Sequence, residues 1–157
     1  MLIDMHRHDE ALQQSRKIIE LDPNGSGSYF LTALMYQENG QDDEALRAYL
    51  KSDSLGSTDP EELKLMQSGA SSGSLRGYLR QRLISLKRKA QTSRVPPITF
   101  ATLYAQLGER DDAFRFLDVA FQRHSGQLAW IGAAQSWDPI RNDPRFLSLL
   151  ERMHFPK

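Results

Sequence analysis

The stretch Ser28-Tyr29-Phe30-Leu31-Thr32-Ala33-Leu34-Met35-Tyr36-Gln37-Glu38-Asn39-Gly40-Gln41-Asp42-Asp43-Glu44-Ala45-Leu46-Arg47-Ala48-Tyr49-Leu50 decides the fold class. Tyr29, Phe30, Ala33, Leu34 and Tyr36 recur at helical spacing. Asn39-Gly40 stops that helix, because both residues tolerate the left-handed backbone of a C-terminal cap. A second helix starts around Asp42, whose carboxylate can cap free amides and suits the positive helix end. It carries Ala45, Leu46, Ala48, Tyr49 and Leu50. Small Ala33 and Ala45 let the two helices approach, while Tyr29, Tyr36 and Tyr49 fill the seam. Neither helix buries its apolar face alone, so stacked neighbours must complete the core.

Working outward, the same pattern returns. Ala11 and Ala45 lie 34 residues apart, each in an acid-rich lead-in to a helix. A step of 68 residues carries Ala45 onto Ala113, Ala33 onto Ala101, Tyr36 onto Tyr104 and Gly40 onto Gly108. The period is 34. Tyr29-x2-Thr32-Ala33-x2-Tyr36 followed by Ala45-x3-Tyr49 resembles the tetratricopeptide repeat (TPR) signature. Phe100-Ala101-x2-Tyr104, Gly108, Ala113-x3-Leu117 and Ala120 resemble it again. The resemblance implies an all-α fold, a right-handed superhelix of antiparallel helix hairpins with a C-terminal capping helix.

The expected organisation is a half-repeat over 1–25, three repeats over 26–59, 60–93 and 94–127, and a C-terminal cap over 128–157. The middle repeat is degenerate: Gln67 and Leu79 stand where small residues are usual, so its packing is expected to be irregular. In the cap, Asp143-Pro144 reads as a helix N-cap followed by proline at the first helical position. Trp130, Trp137, Ile140 and Phe146 are the expected plug over the open end. The run from Trp137 to Phe146 resembles the ends of TPR regions in bacterial multidomain signalling and regulatory proteins. The catalytic and DNA-binding domains of such proteins have no counterpart among these residues.

Composition narrows the function. Of 157 residues none is cysteine, which excludes disulfide scaffolds, thiolate nucleophiles and cysteine zinc sites. No apolar run approaches the roughly 20 residues of a membrane span, and residues 1–12 lack the pattern of a signal peptide, so a cytoplasmic protein without a membrane partner is expected. Twenty bases and twenty acids cancel to zero, but not evenly. Residues 1–62 carry net −8, residues 63–108 carry eight bases and no acid, and residues 109–157 are neutral. Such segregation points to an acidic end and a basic middle with different partners, including each other in a second copy.

No catalytic constellation emerges, and no cofactor is implied. His6-x-His8 with Asp9 and Glu10 has no diagnostic metal spacing, and His124 and His154 are remote. Asp42-Asp43-Glu44 and Asp111-Asp112 recur at one repeat position, where helix starts favour negative charge. The chain reads as non-enzymatic, a module for protein–protein interaction or scaffolding. In the TPR family the first helix of each hairpin lines a concave groove, which implies a binding surface of Phe30, Leu34, Gln37, Glu38, Glu61, Lys64, Ser68, Ile98, Thr102 and Gln106. The plain alternative is that Phe30, Leu34 and Ile98 pack against adjacent helices. The lysine–asparagine clamp for a terminal carboxylate is not evident, since Lys64 stands alone. A second surface, Arg76, Arg80, Arg82, Lys87, Arg88 and Lys89, is expected to face away from the groove and to meet an acidic partner or polyanion, or simply water. Only Tyr78 interleaves it, which disfavours sequence-specific nucleic-acid binding.

Overall fold

The structure, a computed structural model, describes residues 13–14, 16–57, 59–71, 73–132 and 135–153. The expectations for Asp9, Glu10, Ala11, His6, His8 and His154 fall outside these residues. A helical segment over 16–21 (α1) is followed by α2 (Ser26–Glu38), α3 (Asp42–Gly56), α4 (Pro60–Ala70) and α5 (Leu75–Lys89). Then come α6 (Pro97–Leu107), α7 (Arg110–Gln122), two 3-10 turns (Gly126–Trp130 and Gln135–Ile140) and α8 (Pro144–Arg152). Among the described residues there is no strand, and the fold is all-α and built from helix hairpins. Two compact units divide within α5, one ending at Arg82 and the other starting at Leu83.

In the first unit, α2 and α3 form the hairpin that the sequence specifies. Ala33 and Ala45 are fully buried where the helices meet, and Tyr49 is buried against them, with Tyr29 and Tyr36 half-buried. Gly40 takes φ 70°, so Gln41 N–H donates to Tyr36 O at 2.9 Å and Gly40 N–H to Gln37 O at 3.0 Å. This paired closure satisfies the last carbonyls of α2. Asp42 is not the cap of α3. Ala45 N–H donates to Gln41 O at 2.9 Å, so the helical ladder already begins at Gln41 and leaves Asp42, Asp43 and Glu44 in the first turn. These acids act on the helix dipole rather than by a capping bond. Asp59 does cap α4: its Oδ1 accepts from Glu61 N–H at 2.9 Å, ahead of Pro60.

Over residues 60–93, expected as a degenerate repeat, one close contact stands in for another. Gln67 is exposed and Leu79 buried, so neither provides the small-residue contact. Gly69 and Gly77 do so instead, each two residues nearer the turn. A Cβ on Gly69 would lie 2.8 Å from Gly77 O and collide with the Gln81 side chain. Gln81 can swing aside, but the carbonyl cannot. We expect Gly69→Ala to destabilise by about 1 kcal/mol in urea melts. An overpacking cost of about 1–3 kcal/mol outweighs the roughly 1 kcal/mol that alanine gains in helix propensity. A stabilised variant would show that α4 and α5 do not touch there.

In the second unit, α6 is buried nearly all round, with Ile98, Phe100, Ala101, Leu103, Tyr104, Ala105 and Leu107 all in the core. It pairs with α7 and is also covered by the 3-10 turn Gln135–Ile140. Gly108 at φ 76° closes α6 as Gly40 closes α2, with Glu109 N–H donating to Tyr104 O at 2.9 Å. At the end of α7 the same closure falls to His124, at φ 49°. Of the expected plug, Trp137, Ile140 and Phe146 are buried; the side chain of Trp130 is outside the description. Asp143 caps α8, accepting from Arg145 N–H at 3.0 Å. Hydrogen bonds from the Arg145 side chain and backbone hold its carboxyl down at about 2.

The C-terminal segment keeps the phase of the repeats. Helices α7 and α8 start at Arg110 and Pro144, and Arg145 pairs with Asp111 at 2.8 Å and Arg152 with Asp118 at 3.2 Å. Both partners are 34 residues apart. The 3-10 turns stand where a first helix would be, and α8 stands as the second.

Candidate interaction surfaces

Helix α2 has an open apolar face. Leu31, Leu34, Met35 and Glu38 follow the i, i+3, i+4, i+7 pattern of one helical face. Leu31 is 46% exposed, Leu34 and Met35 are half-buried, and Glu38 is exposed. Of the expected groove residues on this helix, Leu34 and Glu38 share that face. Phe30 and Gln37 turn to the interior. Gln37 Oε1 accepts from Tyr49 Oη at 2.8 Å, and the Phe30 ring meets Tyr49 edge-on at 5.8 Å. On α4, Lys64 and Ser68 are exposed; Lys64 pairs with Glu61 at 3.1 Å, and Ser68 Oγ donates to Leu65 O at 2.8 Å.

Arg82 is not on the outer basic face. Its guanidinium lies 4.9 Å from the centre of the Phe30 ring and 5.7 Å from that of Tyr49. It donates to Tyr78 Oη at 2.9 Å, and Tyr78 Oη donates to Asp53 Oδ2 at 2.7 Å. Arg82 and Asp53 themselves are 3.9 Å apart, so the tyrosine hydroxyl mediates the pair. Tyr78 stacks on Tyr49 at 5.2 Å. The α5 side chain thus touches an expected groove residue, contrary to the expectation that the two surfaces face opposite ways. The reason is the aromatic cluster of Phe30, Tyr49 and Tyr78, whose ring faces attract a cation. Burial pushes the Tyr49 and Tyr78 phenols far above their ordinary range. It also raises the Asp53 carboxyl, against the opposing pull of the Tyr78 hydrogen bond and Arg82.

The other cations of α5 are open. Arg76, Arg80, Lys87, Arg88 and Lys89 are exposed, and among the described residues none of them pairs with a carboxylate. Lys87 Nζ sits 5.5 Å from the Tyr104 ring centre. Ile84, on the same exposed stripe, is 42% exposed.

On α6, Ile98 of the expected groove is buried. A helix this apolar on every side is an interior helix, and the turn Gln135–Ile140 helps cover it. Thr102 and Gln106 are half-buried, and Thr102 Oγ1 donates back to Ile98 O at 2.9 Å. Between α7 and α8 lies an open cleft of about 290 Å³ floored by Phe114, Leu117 and Leu149, with Ser148 at its edge. Arg145 and Arg152 border it, their guanidinium groups 4.1 Å and 4.3 Å from the Phe114 and Phe121 ring centres. Among the described residues no group of side chains has the make-up of a metal site.

Residues 16–47 match the tetratricopeptide repeat family. The match runs from α1 through α2 into α3 and so includes Leu31, Leu34 and Met35. No curated protein and no solved structure gives a significant match. TPR modules in general mediate protein–protein contacts and are typically non-enzymatic. No helix among the described residues is long and apolar enough to cross a membrane. Sequence reasoning missed Leu31, Met35, Asp53 and Ile84. The i, i+4 spacings Tyr49–Asp53 and Tyr78–Arg82 carried a signal for the polar cluster; the exposure of Leu31 and Ile84 carried none.

Proposed function

We propose that the chain is a non-enzymatic protein-interaction or scaffolding module that takes a peptide or partner helix along the face of α2. The observation that carries this reading is the open set Leu31, Leu34 and Met35 on one helical face, within the segment that matches the TPR family. Lys64 and Ser68 on α4 are secondary contacts in this reading, while Thr102 and Gln106 on α6 belong to the other unit and are proposed as contacts of that unit by itself. An apolar helix face bounded by Glu38 suits an amphipathic segment with apolar anchors. The resemblance of residues 137–146 to the ends of TPR regions supports a place in a bacterial regulatory system, in the cytoplasm. A photo-crosslinker placed at Leu34 should capture a partner from the source organism's extract, and Leu31→Asp should reduce that capture at least tenfold without changing the circular dichroism spectrum. Equal capture by the variant would reject the α2 face.

A second reading is favoured by the α5 cations other than Arg82, which have no carboxylate partner among the described residues: this helix docks an acidic partner or a polyanion, or supports self-association. Its binding should weaken steeply with salt, since exposed charge pairs are screened over about 10 Å at 0.1 M ionic strength.

A further inference from the structure

On the single helix α5, Arg80, Ile84, Lys87 and Arg88 fall at i, i+4, i+7 and i+8, which places them along one face about 12 Å long. All four are exposed, and Ile84 lies between the cations of one turn and those of the next. The chain also holds the complement of this arrangement. Leu21 is the most exposed large apolar residue described, at 87%, and it sits between two exposed carboxylates, Glu20 and Asp22. An apolar contact ringed by cations thus has a counterpart ringed by anions, in a chain whose residues 1–62 carry −8 and whose residues 63–108 carry +8.

We propose that Glu20-Leu21-Asp22 of one copy docks on the Arg80–Arg88 face of α5 in a second copy, with Leu21 against Ile84. The proposal rests on the reading of α5 as a surface for an acidic partner and names that partner. High exposure of Leu21 in its own chain leaves it free to be the donor. Apolar contact and the flanking opposite charges supply the favourable terms together, and the charges also set the orientation and exclude a like-charged α5. Donor and acceptor are different patches, so the contact is heterologous, and each copy offers both. A patch of this size gives weak association, strengthened only where copies are held together.

Sedimentation of the full chain over micromolar to millimolar concentrations tests it, at low and high salt. The wild type is expected to gain mass with concentration and to lose that gain at high salt. Leu21→Glu and Ile84→Glu, both at exposed positions, should each weaken association at least tenfold while leaving the thermal midpoint unchanged. Mixing the two variants should restore a one-to-one complex that grows no further, because one retains only an acceptor and the other only a donor. A wild type that stays monomeric throughout, or variants that associate like the wild type, would overturn the proposal. Poly-glutamate binding separates the two layers. If poly-glutamate binds in a salt-sensitive way that Arg80→Glu with Arg88→Glu abolishes, α5 stands as an acidic-partner surface even where self-docking fails. No binding of poly-glutamate rejects α5 as a general surface for acidic partners, while self-docking stands or falls on the sedimentation of the two variants.

Discussion

Truncating Phe146 to alanine is expected to lower the stability of the C-terminal unit by about 3–5 kcal/mol, the usual cost of removing a fully buried phenylalanine. Phe146 is completely buried, and its ring centre lies 6.3 Å from that of Trp137. Both tryptophans of the chain lie after Leu83, so intrinsic fluorescence in a denaturant titration reads this unit alone. The neighbouring change Leu147→Ala, at a residue 51% exposed, should cost less than about 0.5 kcal/mol. The contrast separates two accounts of α8. If α8 were a loosely attached cover, losing Phe146 would leave the main fluorescence transition in place. If it is the second helix of a last repeat, with Phe146 in a continuous core, the midpoint falls sharply while the slope is kept.

The C-terminal segment marks where the sequence was legible and where it was not. The 34-residue period is written in residues whose job is geometric: alanines where helices touch, glycines where a left-handed turn closes them. Ala33, Ala45, Ala101 and Ala113 are fully buried, and Gly40 and Gly108 both take positive φ, so these positions carried their meaning openly. After residue 127 those positions change: steps of 34 from Ala101, Gly108 and Ala113 land on Gln135, Asn142 and Leu147, and two 3-10 turns, one holding Pro139, stand in place of a first helix. The phase survives only in charge pairs, Asp111 with Arg145 and Asp118 with Arg152. Exposed charges are a poor repeat signal, since many arrangements of them cost nothing.

The candidate surface was legible only in part, for a different reason. Assigning Phe30 and Ile98 to a groove assumes that every hairpin stacks like the first. Ile98 is buried, on a helix that both α7 and the turn Gln135–Ile140 pack against, and the second of those contacts is announced by no local pattern. Phe30 is half-buried, and Arg82 reaches across to its ring from α5. An arginine in a run of eight acid-free cations looks like a solvated one until its partners are known.

Arg82 is also where the second large effect is expected. Replacing it with methionine keeps much of the apolar stem but removes the cation that faces Asp53, Phe30 and Tyr49. Breaking a fully buried ion pair from one side costs about 3–5 kcal/mol. Here the side chains of Arg82 and Asp53 remain 27% and 20% exposed and their charges are 3.9 Å apart, so about 2 kcal/mol is expected. The pH dependence identifies the cause. Burial already lifts the Asp53 carboxyl above its ordinary value, and Arg82 opposes that lift. The folded state therefore holds the Asp53 proton more tightly than the unfolded state does. Stability from this group is full below the ordinary carboxylate pKa and is lost as pH rises through the raised folded value. Without Arg82 the lift grows, so the penalty of Arg82→Met is largest at neutral pH and shrinks as acid protonates Asp53. Adding Asp53→Asn to Arg82→Met should flatten this dependence, because asparagine can still accept from the Tyr78 hydroxyl but carries no charge to bury. Urea melts from acid to neutral pH decide the matter. A penalty independent of pH would mean that Arg82 acts through its contacts with the rings of Phe30 and Tyr49, and not through Asp53.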